Sequence, residues 1–234
     1  MTKDRFSKIL GEDYNLINKV LPHYNGMRDE VGSIIKNFCA SLQLGTIKVI
    51  DGGSGTGLAT IRILEADPHI EVIGIENEEK TLKQARIILQ DYEKRVDLRK
   101  EDLLDGLKSI ADNSVDIFAS VLVIHNLVTG YRKQLFSEIT RILKSGGLFI
   151  NADKLGRNEQ ALQKKEFDER IKAFNIFAEF GRIDLKNEWT KHYQQDEIIK
   201  ITEAEQTNIL HELGFKDIDV PYRKEMEAIV TAIK

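Results

Sequence analysis

Thr46-Ile47-Lys48-Val49-Ile50-Asp51-Gly52-Gly53-Ser54-Gly55-Thr56-Gly57 is the stretch on which the fold turns. A short apolar run ends in an aspartate, and four glycines follow within six residues. A helical pattern comes next, from Leu58 to Glu65. Apolar run, glycine turn and helix read as one strand–turn–helix unit. Glycine lets the backbone turn sharply and lets a ligand approach where a Cβ would clash. The helix start beyond it offers free N–H groups and a positive dipole end. Such a turn suits a nucleotide-like ligand at the carboxyl edge of a parallel sheet. Spacing narrows the choice. A phosphate-cradling G-x-x-x-x-G-K-[ST] loop requires a lysine that does not follow Gly57. The dinucleotide fingerprint G-x-G-x-x-G/A fails in both frames, ending on Leu58 from Gly53 and on Thr60 from Gly55. What remains is Asp51-x-Gly53-x-Gly55-x-Gly57.

Outward from this stretch, strand and helix alternate. Ile70 to Ile75 predicts a second strand ending at Glu76-Asn77, followed by a helix over 79–93. Val96 to Lys100 predicts a third strand, ending at Glu101-Asp102. Ser114 to Leu122 predicts a fourth, apolar enough to be buried on both faces. A helix over 130–144 leads to Ser145-Gly146-Gly147, read as a helix stop. Leu148 to Ala152 predicts the fifth strand. The chain closes with a helix over 203–213 and strands over 215–221 and 226–233, the last an edge hairpin partner. This order predicts an α/β fold, a doubly wound, mostly parallel sheet, within a single domain over 1–234.

Two segments stand outside the rhythm. Residues 1–45 predict a helical lead-in or lid. Patchy spacing over 5–21 is interrupted by Pro22, and a helix over 28–43 carries Val31, Ile34, Ile35, Phe38 and Leu42 on one face. Residues 154–202 predict a helical insertion, with Phe167, Ile171, Phe174, Phe177, Ala178 and Phe180 near helical spacing. That stripe suits a core face, a substrate lid or the surface of a homodimer.

Composition sets outer bounds. With 234 residues, 41% hydrophobic and 31% charged, the chain is long and apolar enough for one globular α/β unit. A net charge of −4 carries no electrostatic footprint for nucleic acid. The single cysteine, Cys39, excludes an internal disulfide. No apolar run has the length of a membrane span or signal peptide, so a cytoplasmic protein with no membrane partner is expected.

The candidate polar groups fall at the carboxyl ends of predicted strands, where open α/β sheets bind ligands. Glu76 lies 25 residues after Asp51 and can accept two hydrogen bonds from a ribose diol. Asp102 can accept from the exocyclic amine of adenine while Leu103 packs on the ring; N-capping is its rival role. Ser120 and Val121 end the fourth strand, and His125-Asn126 follow.

Taken together these motifs resemble the class I S-adenosylmethionine (SAM)-dependent methyltransferases. Asp51/Gly53/Gly55/Gly57 is similar to motif I of that family, and Lys100-Glu-Asp-Leu-Leu104 to its adenine-binding step. Asp116 to Leu127 resembles its segment after strand four. Leu135 to Gly147 resembles its helix and L-K-P-G-G turn, with Ser145 in place of proline, and Leu210 to Phe215 resembles its C-terminal A-G-F signature. The resemblance implies a seven-stranded sheet with an antiparallel last strand, binding SAM and releasing S-adenosylhomocysteine. It implies cofactor contacts from Asp51, Gly52, Gly53, Gly55, Gly57, Glu76, Asn77, Asp102, Leu103, Ser120 and Val121. It also implies a small-molecule methyl acceptor. The sulfonium already makes its methyl electrophilic, so no metal is expected, and the protein mainly aligns the reactants. His125 is the candidate general base. Tyr24, Arg28, Trp189, Lys191, His192 and Tyr193 are candidates for the acceptor pocket. A narrower resemblance is to the carboxy-SAM synthases of tRNA wobble-uridine modification, carried by Val20-Leu-Pro-His-Tyr24, with Tyr24 closing over the methionine part of SAM. Two positions depart from it: Val121, where those enzymes carry asparagine, and Lys191 or Lys186, where they use arginine to hold the added carboxylate. Lysine lacks the bidentate fork.

Overall fold

The computed structural model describes residues 17–21, 23–42 and 45–234. The first expected helix therefore lies outside the described residues except for its last turn, Ile17–Val20 (α1), and so does Pro22. The second helix, α2, spans His23–Cys39 and begins earlier than its spacing suggests. Its buried stripe is Tyr24, Met27, Arg28, Val31, Ile35 and Cys39, while Ile34 and Phe38 are only partly covered.

Seven strands form one sheet: β1 Ile47–Gly52, β2 Ile70–Glu76, β3 Val96–Lys100, β4 Val115–Val121, β5 Leu143–Lys154, β6 Lys216–Lys224 and β7 Glu227–Ile233. Their order is β3-β2-β1-β4-β5-β7-β6. The first five pair in parallel, and β7 runs antiparallel between β5 and β6. The final strand is thus interior and β6 is the edge, which corrects the expectation of a terminal edge strand. Strand β7 is nearly all apolar, Ala228 to Ile233, so it needs cover on both sides. The order reverses between β1 and β4, creating the crevice at which such sheets bind ligands.

Alternation along each strand sends residues to opposite faces. Val49, Ile117, Ile150 and Ile229 belong to one core, and their neighbours Ile50, Phe118, Phe149 and Val230 to the other. Helices α3 (Leu58–Ala66), α4 (Glu79–Ile88) and α2 cover the first face. Helices α5 (Leu103–Lys108), α6 (Thr129–Ile142) and α10 (Glu203–Glu212) cover the second, where Phe118 stacks on Phe149 with ring centroids 6.0 Å apart. The insertion folds as α7 (Gln160–Ala173), α8 (Asn175–Glu179) and α9 (Ile183–Ile199), adding Phe174, Phe177, Trp189 and Tyr193 to the first core. Phe180 departs from the expected stripe and is 63% exposed.

Two local readings are corrected. Helix α4 stops at Ile88, and the chain tightens into a 3₁₀ turn at Gln90–Tyr92. This sends Leu89 into the core directly beneath Gly57. Ser145-Gly146-Gly147 is not a helix stop, because β5 begins at Leu143 as soon as α6 ends. Val115 pairs with Leu143 and Ile117 with Leu148, so the extra residues bulge out of the ladder. Gly146 takes φ 77° there, and the bulge ties down the chain end through Gly146 N–H to the Lys234 carbonyl and Lys234 N–H to the Gly147 carbonyl. Among the described residues no helix is long and apolar enough to cross a membrane.

Candidate functional site

The glycine turn is fixed from both sides. The N–H groups of Gly53 and Ser54 both donate to the Ile75 carbonyl, at 2.9 and 3.1 Å, which ties the turn to β2. Gly53, Gly55 and Gly57 take φ values of 78°, 55° and 86°, in the left-handed region that other residues enter at a cost. A Cβ on Gly53 would lie 2.4 Å from Val123, so this glycine permits close packing. A Cβ on Gly55 would meet nothing nearer than the Gly53 carbonyl at 3.8 Å, so space opens above it.

Asp51 is fully buried and accepts a hydrogen bond from Thr60 Oγ1 at 2.6 Å through Oδ2. Its other oxygen and the buried Ser54 hydroxyl have no protein partner. Burial pushes the Asp51 carboxyl up to about 6, the Thr60 bond opposing and Glu76 adding to the shift. Glu76 accepts from Gly55 N–H at 3.1 Å with Oε2 and from Glu78 N–H at 2.8 Å with Oε1, so its carboxylate lies across the turn. Burial holds it above the usual carboxylate range. Asn77, next to it, is exposed. Asp102 caps α5, accepting from Leu104 and Asp105 N–H and from Tyr131 Oη at 2.6 Å. All three bonds use Oδ1, so the capping role leaves the second oxygen outside that set. Leu103 packs beside it in the second core.

These groups fit an adenosyl sulfonium cofactor. The Gly55 floor is open, Asp51 Oδ1 and the Ser54 hydroxyl have no protein partner, and two carboxylates stand on the next two strand ends. Glu76 would hold the ribose diol, Asp102 and Leu103 the adenine, and the glycine turn the methionine part. Ser120 belongs elsewhere. Its side chain is wholly buried and its Oγ donates to the Gly52 carbonyl at 3.0 Å, so it braces the turn rather than reaching the ligand edge. Gly52 is a packing position as well, since a Cβ there would come within 2.8 Å of the Phe118 ring. Val121, at the strand end, is partly exposed.

A second polar group lies over the ends of β4 and β5. Leu122 leaves β4 with φ 60°, a strained value for a branched side chain, and turns the chain into the 3₁₀ segment Ile124–Asn126. His125 is buried. Its backbone N–H donates to Asp153 Oδ2 at 2.9 Å, and its Nδ1 lies 2.5 Å from Asp153 Oδ1. That fixes the ring and directs Nε2 toward Asp196 of α9, 3.8 Å away. His192, one helical turn before Asp196, places its Nε2 3.4 Å from the same oxygen. Lys154 ends β5, contacts Asp196 Oδ2, and sits 3.8 Å from the centre of the Tyr193 ring. Burial works to raise the Asp196 pKa, but Lys154, His125 and His192 hold it down at about 2. Tyr193 Oη meets Tyr24 Oη at 2.8 Å and accepts from Arg170 Nη1 at 3.2 Å. The guanidinium of Arg170 is already forked onto Glu227, at 2.6 and 2.8 Å.

Tyr24, Trp189, His192 and Tyr193 thus meet at the insertion, and Arg28 is buried on α2. Lys191 does not join them: it is exposed. Asp153, Lys154, Asp196, Arg170 and Thr60 escaped the sequence reading. Asp153 obeys the same strand-end rule as Glu76 and Asp102, and His192-x-x-x-Asp196 places two polar groups on one helix face. The first signal was masked by ending the fifth strand at Ala152, the second by reading 154–202 as an insertion.

A sheet of this order, with a glycine turn after β1 and acids ending β2 and β3, defines the class I SAM-dependent methyltransferases. Residues 45–212 match the family described as methyltransferase domain, and the chain belongs to that family. Its cofactor is SAM, and it is a SAM-dependent methyltransferase by family and fold. A carboxy-S-adenosyl-L-methionine synthase of Nautilia profundicola is 25% identical over 94% of this chain and 89% of its own length. A putative SAM-dependent methyltransferase structure from Methanococcus maripaludis superposes with TM-score 0.63 at 20% identity, over 100% of this chain and 96% of that one. The carbon methyltransferase CurJ superposes with TM-score 0.64 at 17% identity, over 88% of this chain and 53% of that one.

Proposed function

We propose that the protein transfers the methyl group of SAM to a small-molecule acceptor seated over the ends of β4 and β5, beneath the insertion. The observation that carries this is the buried constellation His125, Asp153, Lys154, His192 and Asp196, next to the glycine turn. The ends of β1 to β3 are committed to the cofactor, so the neighbouring strand ends are left for the acceptor. The sulfonium supplies an electrophilic methyl when bound. The chain's part is to line up the acceptor with it and to activate the acceptor's heteroatom through His125, whose ring Asp153 holds. His125→Ala should lower kcat by at least ~100-fold while the Kd for SAM changes less than about two-fold. Stopped turnover and unchanged binding, read by methyl-transfer assay across an acceptor panel and by calorimetry, support the reading. Full activity in the variant contradicts it.

A second reading, conversion of SAM to its carboxylated form, is favoured by the similarity that runs through 94% of the chain. Three features weigh against it. Val121 stands where asparagine is expected, Lys191 faces solvent, and the buried guanidinium of the insertion is spent on Glu227. Mass spectrometry of cofactor co-purified with the protein separates the readings, since a carboxylated species is heavier than SAM.

A further inference from the structure

From the geometry around Asp196 we infer that His125, His192 and Asp196 form a binding site for one divalent first-row transition metal ion. The donor atoms are Nε2 of His125, Nε2 of His192 and a carboxylate oxygen of Asp196, all within 4.8 Å of one another and all on buried residues. Ligands held tetrahedrally at ~2.05 Å from an ion stand roughly 3.4 Å apart. His192 is 3.4 Å and His125 3.8 Å from Asp196 Oδ2, so these two pairs need a contraction of at most a few tenths of an ångström, and the two imidazole nitrogens start within 4.8 Å of each other.

Three further observations point the same way. A histidine that binds metal through one ring nitrogen usually gives the other to a carboxylate. His125 does this with Asp153, through a 2.5 Å contact at Nδ1 that leaves Nε2 directed at Asp196. The two imidazoles come from different elements, the turn after β4 and helix α9, yet both point Nε2 at one oxygen. The cluster also carries two buried carboxylates, Asp153 and Asp196, against the single ammonium of Lys154. Lys154 is compatible with the ion. Lys154 contacts the same Oδ2 that the two imidazoles face, so binding the ion requires Lys154 to pass to the second carboxylate oxygen of Asp196. Two imidazoles and one carboxylate are a borderline donor set suited to Zn²⁺, Co²⁺ or Fe²⁺ rather than Mg²⁺ or Ca²⁺.

Three protein ligands leave a coordination position open. On the methyltransferase reading above, that position would take the acceptor's oxygen or nitrogen, and the ion, with His125 Nε2 as its ligand, would then replace His125 as the group that lowers the acceptor's pKa. The acceptor class is then a molecule that chelates a metal through a hydroxyl or acid oxygen. The ion binding itself is tested without SAM or acceptor. Full-length protein stripped with chelator is titrated with Co²⁺, followed by visible absorption, and with Zn²⁺, followed by calorimetry. The expected result is one ion per chain with tetrahedral or five-coordinate Co²⁺ bands. His192→Ala should weaken binding at least ~10-fold and lose the bands, and SAM titration should show that the variant still folds. If wild type takes up no ion, or His192→Ala binds as wild type does, the site is refuted. Methyl transfer that persists in chelator would separately leave the methyltransferase reading standing without the ion.

Discussion

Asp51 carries the clearest consequence at the scale of one residue. It is the last polar group before the glycine turn, buried completely and paired with a neutral hydroxyl rather than a cation. Desolvation raises its folded pKa to about 6, whereas an unfolded aspartate titrates near about 3.9. The folded state therefore binds this proton more tightly. Its contribution to stability is complete below the unfolded value and is lost as pH climbs toward 6. Two units correspond to roughly 3 kcal/mol. Asp51→Asn removes the titration, so its stability relative to wild type should improve by roughly 2–3 kcal/mol between pH 4 and pH 6.5 in the absence of SAM. Urea unfolding at the two pH values checks this; a difference that stays flat would show that burial is relieved by ionised partners. The sequence announced Asp51 and the glycines, because spacing alone separates this turn from phosphate loops. It did not announce that Asp51 would bond Thr60 instead of the ligand edge, since that depends on how α3 packs over the turn.

Among elements, the strands through β5 and the helical character of the insertion were legible from apolar runs and punctuation, and the short helix α5 and the insertion's buried polar groups were not. Helix α9 reads as strongly charged, yet its Leu185, Trp189, His192, Tyr193 and Asp196 are buried. Tyr193 and Asp196 find partners on α2, β5 and α7, which no local pattern reveals. The same holds for Arg170, which is buried because Glu227 lies opposite on β7. The insertion is joined to α2 by the Tyr24–Tyr193 hydroxyl pair at 2.8 Å, buried from water. Tyr24→Phe and Tyr193→Phe should each cost about 1 kcal/mol, and the double variant should cost less than their sum, with a coupling of at least ~0.5 kcal/mol. Thermal or urea unfolding of the four proteins gives the cycle. Strict additivity would mean that α2 and the insertion are energetically independent.

At the scale of the whole molecule, the reversal of strand order between β1 and β4 divides the work. One side, β1 to β3, offers a glycine floor and two strand-end acids suited to an adenosyl cofactor. The other, β4 and β5 with α9 folded over them, offers the buried histidines, aspartates and lysine. The sequence located the first side almost entirely and, of the second, His125 and His192 but not Asp153, Lys154 or Asp196, because a cofactor shared by a family leaves a motif and an acceptor chosen by one protein does not. The measurement that tests this division most directly is calorimetric titration of SAM into wild type, Gly55→Val and His125→Ala. Gly55 sits at φ 55° under open space, so valine there costs about 1–2 kcal/mol in backbone strain and fills the volume above the turn. The account predicts one SAM per chain for wild type, no binding at millimolar cofactor for Gly55→Val in a protein that remains folded, and an affinity within about two-fold of wild type for His125→Ala. Unaltered binding by Gly55→Val, or its loss in His125→Ala, would contradict it.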